Sequence, residues 1–170
     1  GEDTEIDKSL VDALGDPVLH IIRNAIDHGV ERPEERAARG KPERGRIEVS
    51  ASYSGNEVLI VFTDDGRGLD AESIRNKALE RGLIDASANL DEAAIHRLVF
   101  HPGFSTRDAV SELSGRGVGM DVVNESIKAL RGRVDLRSRP GEGTSLAVYL
   151  PLTLAFADAL VVEIGDYLYA

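Results

Sequence analysis

A short stretch near the start of the chain carries His20, Arg23, Asn24, Asp27 and His28. Placed on a helix at about 100° per residue, these five fill one arc of residues 18–28. Val18, Leu19, Ile21, Ile22, Ala25 and Ile26 fill the other. A solvated helix face is ordinarily built from Lys, Glu, Gln and Arg. His, Asn and Asp are poorer helix formers by up to about 0.7 kcal/mol per residue, so this stripe gives up helix propensity for its chemistry. Asn24 can offer an amide oxygen to Mg²⁺, a hard cation that takes much of its coordination from phosphates and water. His20, one turn earlier, can orient or deprotonate a nucleophile, or hydrogen-bond a phosphate. A transition-metal site made of His20, Asn24 and His28 is a competing reading, but it lacks an HExxH arrangement and a third strong ligand.

Three further motifs, one of them with a hydroxyl-bearing stretch just upstream, supply complementary chemistry. Asp64 directly follows the apolar run VLIVFT, so it stands where a buried strand emerges, and Gly66 and Gly68 allow a sharp turn with positive φ. A carboxylate held there can accept a hydrogen bond from an exocyclic amine such as that of adenine. SGRGVGMD (114–121) is a glycine loop that opens a helix near Val118, and backbone N–H groups at a helix N-terminus form an anion site. HPGFST (101–106) places the hydroxyls of Ser105 and Thr106 just upstream, in a stretch with the glycine content of a lid, and GEGT (141–144) adds a further glycine turn. There is no GxxxxGK[ST], because Gly40-Lys41 runs into Pro42, and GRGVG is a poor dinucleotide fingerprint. Taken together, the four segments describe an ATP pocket without a P-loop.

The elements that must hold these groups follow from periodicity. A helix builds from Leu10, is interrupted at Pro17, and resumes over residues 18–28 until Gly29 ends it as a C-cap. Residues 31–46, with charge, two prolines and two glycines, read as a solvated loop with one helical turn. Residues 47–53 and 57–63 read as a hairpin, 71–81 and 91–99 as helices, 118–130 as a helix, and 133–138 with 144–150 as a second hairpin. Gly165-Asp166 opens a further hairpin. Helices alternating with hairpins predict an α+β fold, a two-layer sandwich whose mixed sheet is covered by helices on one face.

Composition bounds the function. The 170 residues suit one ordinary domain, and 42% hydrophobic with 29% charged is common soluble composition. A net charge of −10 argues against bulk attraction to nucleic acid or anionic lipid, so an anionic ligand needs local donors and a cation. The chain has no cysteine, no apolar run of spanning length and no signal-peptide pattern, which is the profile expected of a cytoplasmic protein without membrane insertion.

The motifs, in this order, resemble those of the GHKL superfamily (gyrase, Hsp90, histidine kinase, MutL), whose ATP-binding sandwich is the Bergerat fold. RNAIDHGVE, GFST, SGRGVGMDVV and LPLTLA are similar more narrowly to the catalytic P4 domain of the CheA family of chemotaxis histidine kinases. The resemblance implies ATP and Mg²⁺ as cofactors, with Asn24 the metal ligand and His20 standing where ATPase relatives carry a catalytic glutamate. It implies nucleotide contacts from Arg23, Asp27, His28 and Asp64, the last being the adenine carboxylate, with Gly66 and Gly68 completing its turn. Ser105, Thr106, Gly115, Arg116, Gly117, Val118, Gly119 and Met120 fall in the lid and phosphate loop, and Thr144 falls beside the base. Where relatives often carry a basic residue this chain has Ser73, which leaves Arg75 or Lys77 as substitutes. By domain, residues 1–9 match the remnant of an upstream dimerisation segment, 10–151 the catalytic domain, and 152–170 a linker and the first strands of a CheW-like regulatory domain.

The implied activity is transfer of the γ-phosphoryl group of Mg-ATP to a histidine on a phosphotransfer domain, in cis or in trans. The implied partners are a CheW-like coupling protein with a chemoreceptor array, and a response regulator downstream. The full-length protein is expected to be a homodimer and this fragment a monomer. The alternatives are an ATP-driven conformational clamp of chaperone or topoisomerase type, and a scaffold without turnover. Residue 20 discriminates the first, since hydrolysing relatives need a carboxylate there to activate water. None of the four histidines lies in a segment patterned as a phosphotransfer helical bundle. The chain alone should therefore bind ATP without becoming phosphorylated. Label from γ-³²P-ATP that survives alkali and is lost in acid on this chain alone would overturn that expectation.

Overall fold

The computed structural model describes residues 7–104, 119–152, 162–164 and 167–169. Four strands, β1 (Ile47–Ser54), β2 (Glu57–Asp64), β3 (Arg133–Arg139) and β4 (Gly143–Pro151), form one sheet in the order β1-β2-β4-β3. Five helices accompany it: α1 (Lys8–Asn24), α2 (Pro33–Ala38), α3 (Ala71–Glu80), α4 (Glu92–Arg97) and α5 (Met120–Ala129). A π-helical turn, Ala25–Gly29, extends α1, and a 3-10 turn, Leu98–Phe100, extends α4. Two short strands, β5 (Val162–Ile164) and β6 (Tyr167–Tyr169), pair with each other as the expected last hairpin.

The α+β sandwich is present, but every described strand pair is antiparallel, where a mixed sheet was expected. Both hairpins close tightly, and the central β2–β4 pairing is antiparallel as well, so no described strand needs a parallel crossover. Alternation sorts the faces. Val58, Ile60 and Phe62 point into the core from β2, and their register partners Leu150, Val148 and Leu146 do so from β4. Leu10, Leu14 and Ile21 of α1, and Val123 and Ile127 of α5, cover this row. A second cluster, Ile74, Ala78, Ile95 and Phe104, joins α3 and α4.

The expected break at Pro17 does not occur, and α1 runs through it. Residues 10, 14, 17 and 21 recur at helical spacing and all four are buried, so Pro17 belongs to the stripe that docks on the core. Packing there outweighs the lost backbone donor. The helix starts earlier than expected, at Lys8, because Asp7 caps it through the backbone N–H of Ser9, 2.8 Å away. The apolar arc read on residues 18–28 is only partly used: Leu19 and Ile26 are exposed, while Ile21 is buried. Among the described residues no helix is long and apolar enough to cross a membrane.

Leu150 is fully buried between the helices and the centre of the sheet. Leu150→Ala should cost about 2–5 kcal/mol of stability through lost burial and the residual cavity, read as a lower urea midpoint with unchanged slope.

Candidate nucleotide-binding site

The inward row of β2 does not end on an apolar residue. The next inward position after Phe62 is Asp64, paired in register with Thr144 of β4 and only 9% exposed. A buried carboxylate without partners is costly, and here backbone amides answer it. The Gly66 N–H donates to Asp64 Oδ1 at 2.9 Å, and the Thr144 N–H donates to the same carboxylate. Burial nevertheless dominates and pushes the Asp64 carboxyl above its ordinary value. The two amides pull it down, the Asp65 charge raises it and the Lys41 charge lowers it.

Four glycines shape this corner, two of them purely for reasons of space. A Cβ on Gly29 would lie 3.3 Å from Asp64 Oδ1, and one on Gly66 would lie 2.2 Å from the Gly29 carbonyl oxygen. Neither adopts the positive φ expected for a C-cap or a turn glycine; both are small because backbone and carboxylate approach closely. Gly68 (φ 71°) and Gly143 (φ 113°) do need the left-handed region, and a Cβ on Gly143 would sit 2.0 Å from the Asp64 carbonyl oxygen. The Arg67 N–H to the Gly29 carbonyl (2.8 Å) and the Gly141 N–H to the Arg67 carbonyl (2.7 Å) lock the turn after β2 between the end of α1 and the β3–β4 turn.

The stripe on α1 meets the site from the other side. Asn24 donates through Nδ2 to Met120 Sδ at 3.3 Å, which places it at the first residue of α5. Gly119 is the N-cap of that helix, and among the described residues no side chain caps its N-terminus, which leaves first-turn N–H groups beside Asn24 able to meet an anion. His20 and Asn24 are half-buried on α1, and Arg23, Asp27 and His28 are exposed. Winding changes after Asn24: the Val30 N–H bonds to the Ala25 carbonyl, five residues back, so a uniform 100° wheel does not carry His28 onto the line of His20 and Asn24. Ser105, Thr106, Gly115, Arg116, Gly117 and Val118 lie outside the described residues. Arg75, a candidate phosphate contact, is engaged elsewhere, donating to the carbonyls of Ala86 and Ala88. Lys77 lines a separate polar surface groove along α3 with Asp70, Ser73 and Arg81.

Sequence reasoning missed the residues that fix the turn from behind. The segment expected to be a solvated loop contains fully buried Arg36 and nearly buried Glu31. Arg36 donates to Glu31 (3.1 Å), to the Asp65 carboxylate (2.7 Å) and carbonyl (3.2 Å), and to the Pro42 carbonyl (2.7 Å). Lys41 donates to Glu31 (3.0 Å) and to the carbonyls of Asp65 (2.8 Å) and Gly66 (2.7 Å). Burial raises the Glu31 and Asp65 carboxyls, but hydrogen bonds from Lys41 on the one, and from the Arg46 amide and Arg36 on the other, hold both below their ordinary values. Ser138 was also missed. It accepts from the Leu69 N–H at 2.8 Å and bonds the Gly143 carbonyl and the Thr144 hydroxyl.

A carboxylate in a glycine cradle at the end of β2, together with an amide side chain on α1 bonded to the first residue of α5, is the pattern of a nucleotide-binding ATPase-type domain. The chain belongs to the family of histidine kinase-, DNA gyrase B- and HSP90-like ATPases, whose model matches residues 13–154. Within it, the chain is 48% identical over 166 residues to the chemotaxis protein CheA of Rhizobium meliloti, covering 98% of this chain and 22% of that protein. It is likewise 48% identical over 173 residues to the sensor histidine kinase CheAY of Helicobacter pylori, covering all of this chain and 21% of that one. The chain thus spans about a fifth of the length of the curated relatives it matches. The solved catalytic domain of the histidine kinase ThkA shares the fold, with a TM-score of 0.51 at 15% identity over 84% of this chain and 68% of that one. These findings make it a domain of that ATPase family, similar in sequence to the corresponding part of CheA proteins.

Because the fold raises the Asp64 carboxyl above its unfolded value of about 3.8, its ionised form costs stability at neutral pH, and that cost fades as pH falls through the raised value. Asp64→Asn should therefore be at least as stable as the parent at pH 7, with the difference vanishing below the unfolded value. Thermal melts across pH 3–8 check this, and a variant less stable at pH 7 than at pH 3, relative to the parent, contradicts it.

Proposed function

We propose that this chain is the catalytic domain of a CheA-type histidine kinase, which transfers the γ-phosphoryl group of ATP to an imidazole nitrogen on a separate phosphotransfer domain. The P–O bond to the ADP leaving group breaks, a P–N bond forms, and the imidazole proton leaves to solvent. The observation that carries the reading is Asp64, a buried carboxylate that every surrounding element is shaped to accommodate. It would accept from the adenine amine, with Thr144 beside the base.

The residues present fit Mg²⁺. With its amide nitrogen on Met120, Asn24 keeps its oxygen for a hard cation, and the adjacent open end of α5 suits phosphates. Bound Mg²⁺ would supply neutralisation of phosphate charge. The protein's own part is orientation and fixed dipoles, as phosphoryl transfer requires. His20 stands where a water-activating carboxylate would otherwise be, which favours transfer over hydrolysis and weighs against the clamp reading. Arg23, Asp27 and His28 are proposed as further nucleotide contacts at the rim, and Ser105, Thr106 and residues 115–118 as lid and phosphate-loop contacts.

For the whole protein we propose a cytoplasmic homodimer. The dimerisation segment precedes α1, and a CheW-like domain begins beyond β4. A phosphotransfer domain, a coupling protein with its receptors and a response regulator are the proposed partners. The test is incubation with Mg²⁺, labelled ATP and histidine-phosphotransfer domains. Label should move to an acceptor histidine, slowly, because an untethered acceptor forgoes effective concentration. Asn24→Ala should remove nearly all transfer and the Mg²⁺ dependence of ATP binding, whereas His20→Ala should keep more nucleotide binding while losing turnover. Full transfer by Asn24→Ala would return the α1 stripe to a structural role.

A further inference from the structure

The peptide group between Asp65 and Gly66 joins the Asp64 carboxylate to the buried ion cluster behind it. Its N–H is the donor to Asp64 Oδ1 at 2.9 Å. Its carbonyl oxygen accepts from Lys41 Nζ at 2.8 Å and from Arg36 at 3.2 Å. The peptide is planar, so fixing the oxygen fixes the direction of the N–H. We propose that Lys41, backed by Arg36 and Glu31, is a positioning residue for nucleotide recognition: it holds the Asp65–Gly66 peptide so that its N–H keeps the Asp64 carboxylate aimed at the amine of the base.

The surroundings leave this plane little freedom. Lys41 also grips the next carbonyl, that of Gly66. The Asp65 carboxylate is taken on one oxygen by Arg36 and on the other by the Arg46 N–H at 2.9 Å. Glu31, buried, holds both cations at 3.0 and 3.1 Å, and it follows Gly29 closely, so the cluster is anchored to the chain that abuts the carboxylate from the opposite side. Cations on a peptide oxygen also polarise its N–H and strengthen the bond it donates. Burial raises the Asp64 carboxyl, and the Gly66 amide and the Lys41 charge both act against that rise. Lys41 sits in a segment that contributes no strand to the sheet, yet its ammonium has three acceptors there.

This inference rests on the reading of Asp64 as the carboxylate that meets the base. The test is a double-mutant cycle on the whole chain, with binding of ATP and of its analogue lacking the 6-amino group followed by calorimetry in parent, Lys41→Met, Asp64→Asn and the double variant. Lys41→Met should bind ATP roughly tenfold more weakly, the scale of one charge-assisted hydrogen bond, and the amine-free analogue unchanged. In the Asp64→Asn background the same substitution should have no further effect, because coupled residues are not additive. Lys41→Arg should recover part of the loss. Equal weakening for both ligands, or additive effects, would overturn the positioning role. Unchanged ATP binding in Asp64→Asn would instead overturn the assignment of Asp64 itself. If Lys41→Met does not fold, Lys41→Gln takes its place in the same cycle with the same two outcomes.

Discussion

Strand β2 ends its inward-facing row on a charge. After Val58, Ile60 and Phe62, the alternation of the strand sends the next inward side chain into the same low-polarity layer, and that side chain is Asp64. A carboxylate there is tolerable only if dipoles reach it and space is cleared for it. The backbone amides of Gly66 and Thr144 meet the first need, and the missing side chains of Gly29, Gly66 and Gly143 meet the second. The end of α1, the turn after β2 and the β3–β4 turn converge on this one residue, Gly29 and Gly66 approaching its carboxylate and Gly143 its backbone carbonyl.

The chain solves a second electrostatic problem by locality. Its net charge is −10, yet its inferred ligand is an anion. The groups that would meet it are therefore short-range: the first amides of α5, and beside them Asn24, whose side-chain nitrogen is bonded to Met120 and whose oxygen suits a cation. Several other cations are spent internally. Arg36 and Lys41 are committed to Glu31 and to the turn after β2, and Arg75 to carbonyls near residue 88. Interactions that act over one or two bond lengths are screened far less by salt than a diffuse surface field, so a binding site of this kind can work inside an acidic protein.

Much of this was legible in the sequence. Period-two alternation located all four strands of the sheet to within a residue or so, and the run into Asp64 marked the site's carboxylate. The unusual residue choice on α1 marked Asn24. Misreadings had physical causes. Pro17 looked like a break because local rules speak of lost donors, while its position on the buried stripe is a tertiary fact. Gly29 and Gly66 looked like φ devices, and sequence cannot distinguish a glycine needed for its dihedral from one needed for clearance. Residues 31–46 looked solvated because their charges are numerous. Burial of Arg36 and Glu31 depends on their meeting each other and the Asp65 carbonyl, a partner far along the chain. The mixed sheet was inferred from helices alternating with hairpins, a pattern that leaves open how the hairpins join, whereas the described pairs follow from two tight hairpins and their antiparallel join.

That join has a kinetic meaning. β1 finds β2, and β3 finds β4, through short turns, but β2 finds β4 only across the helical half of the chain that separates them. Closing so long a loop is entropically slow, and non-local strand pairing governs folding rate more than stability does. Until it closes, the first hairpin emerging from a ribosome presents Val58, Ile60 and Phe62 with no β4 to cover them. The pairing of Asp64 with Thr144 belongs to that same late event, so the pocket and the completed sheet come into being together, and a folding intermediate stalled before it would be both sticky and unable to recognise nucleotide.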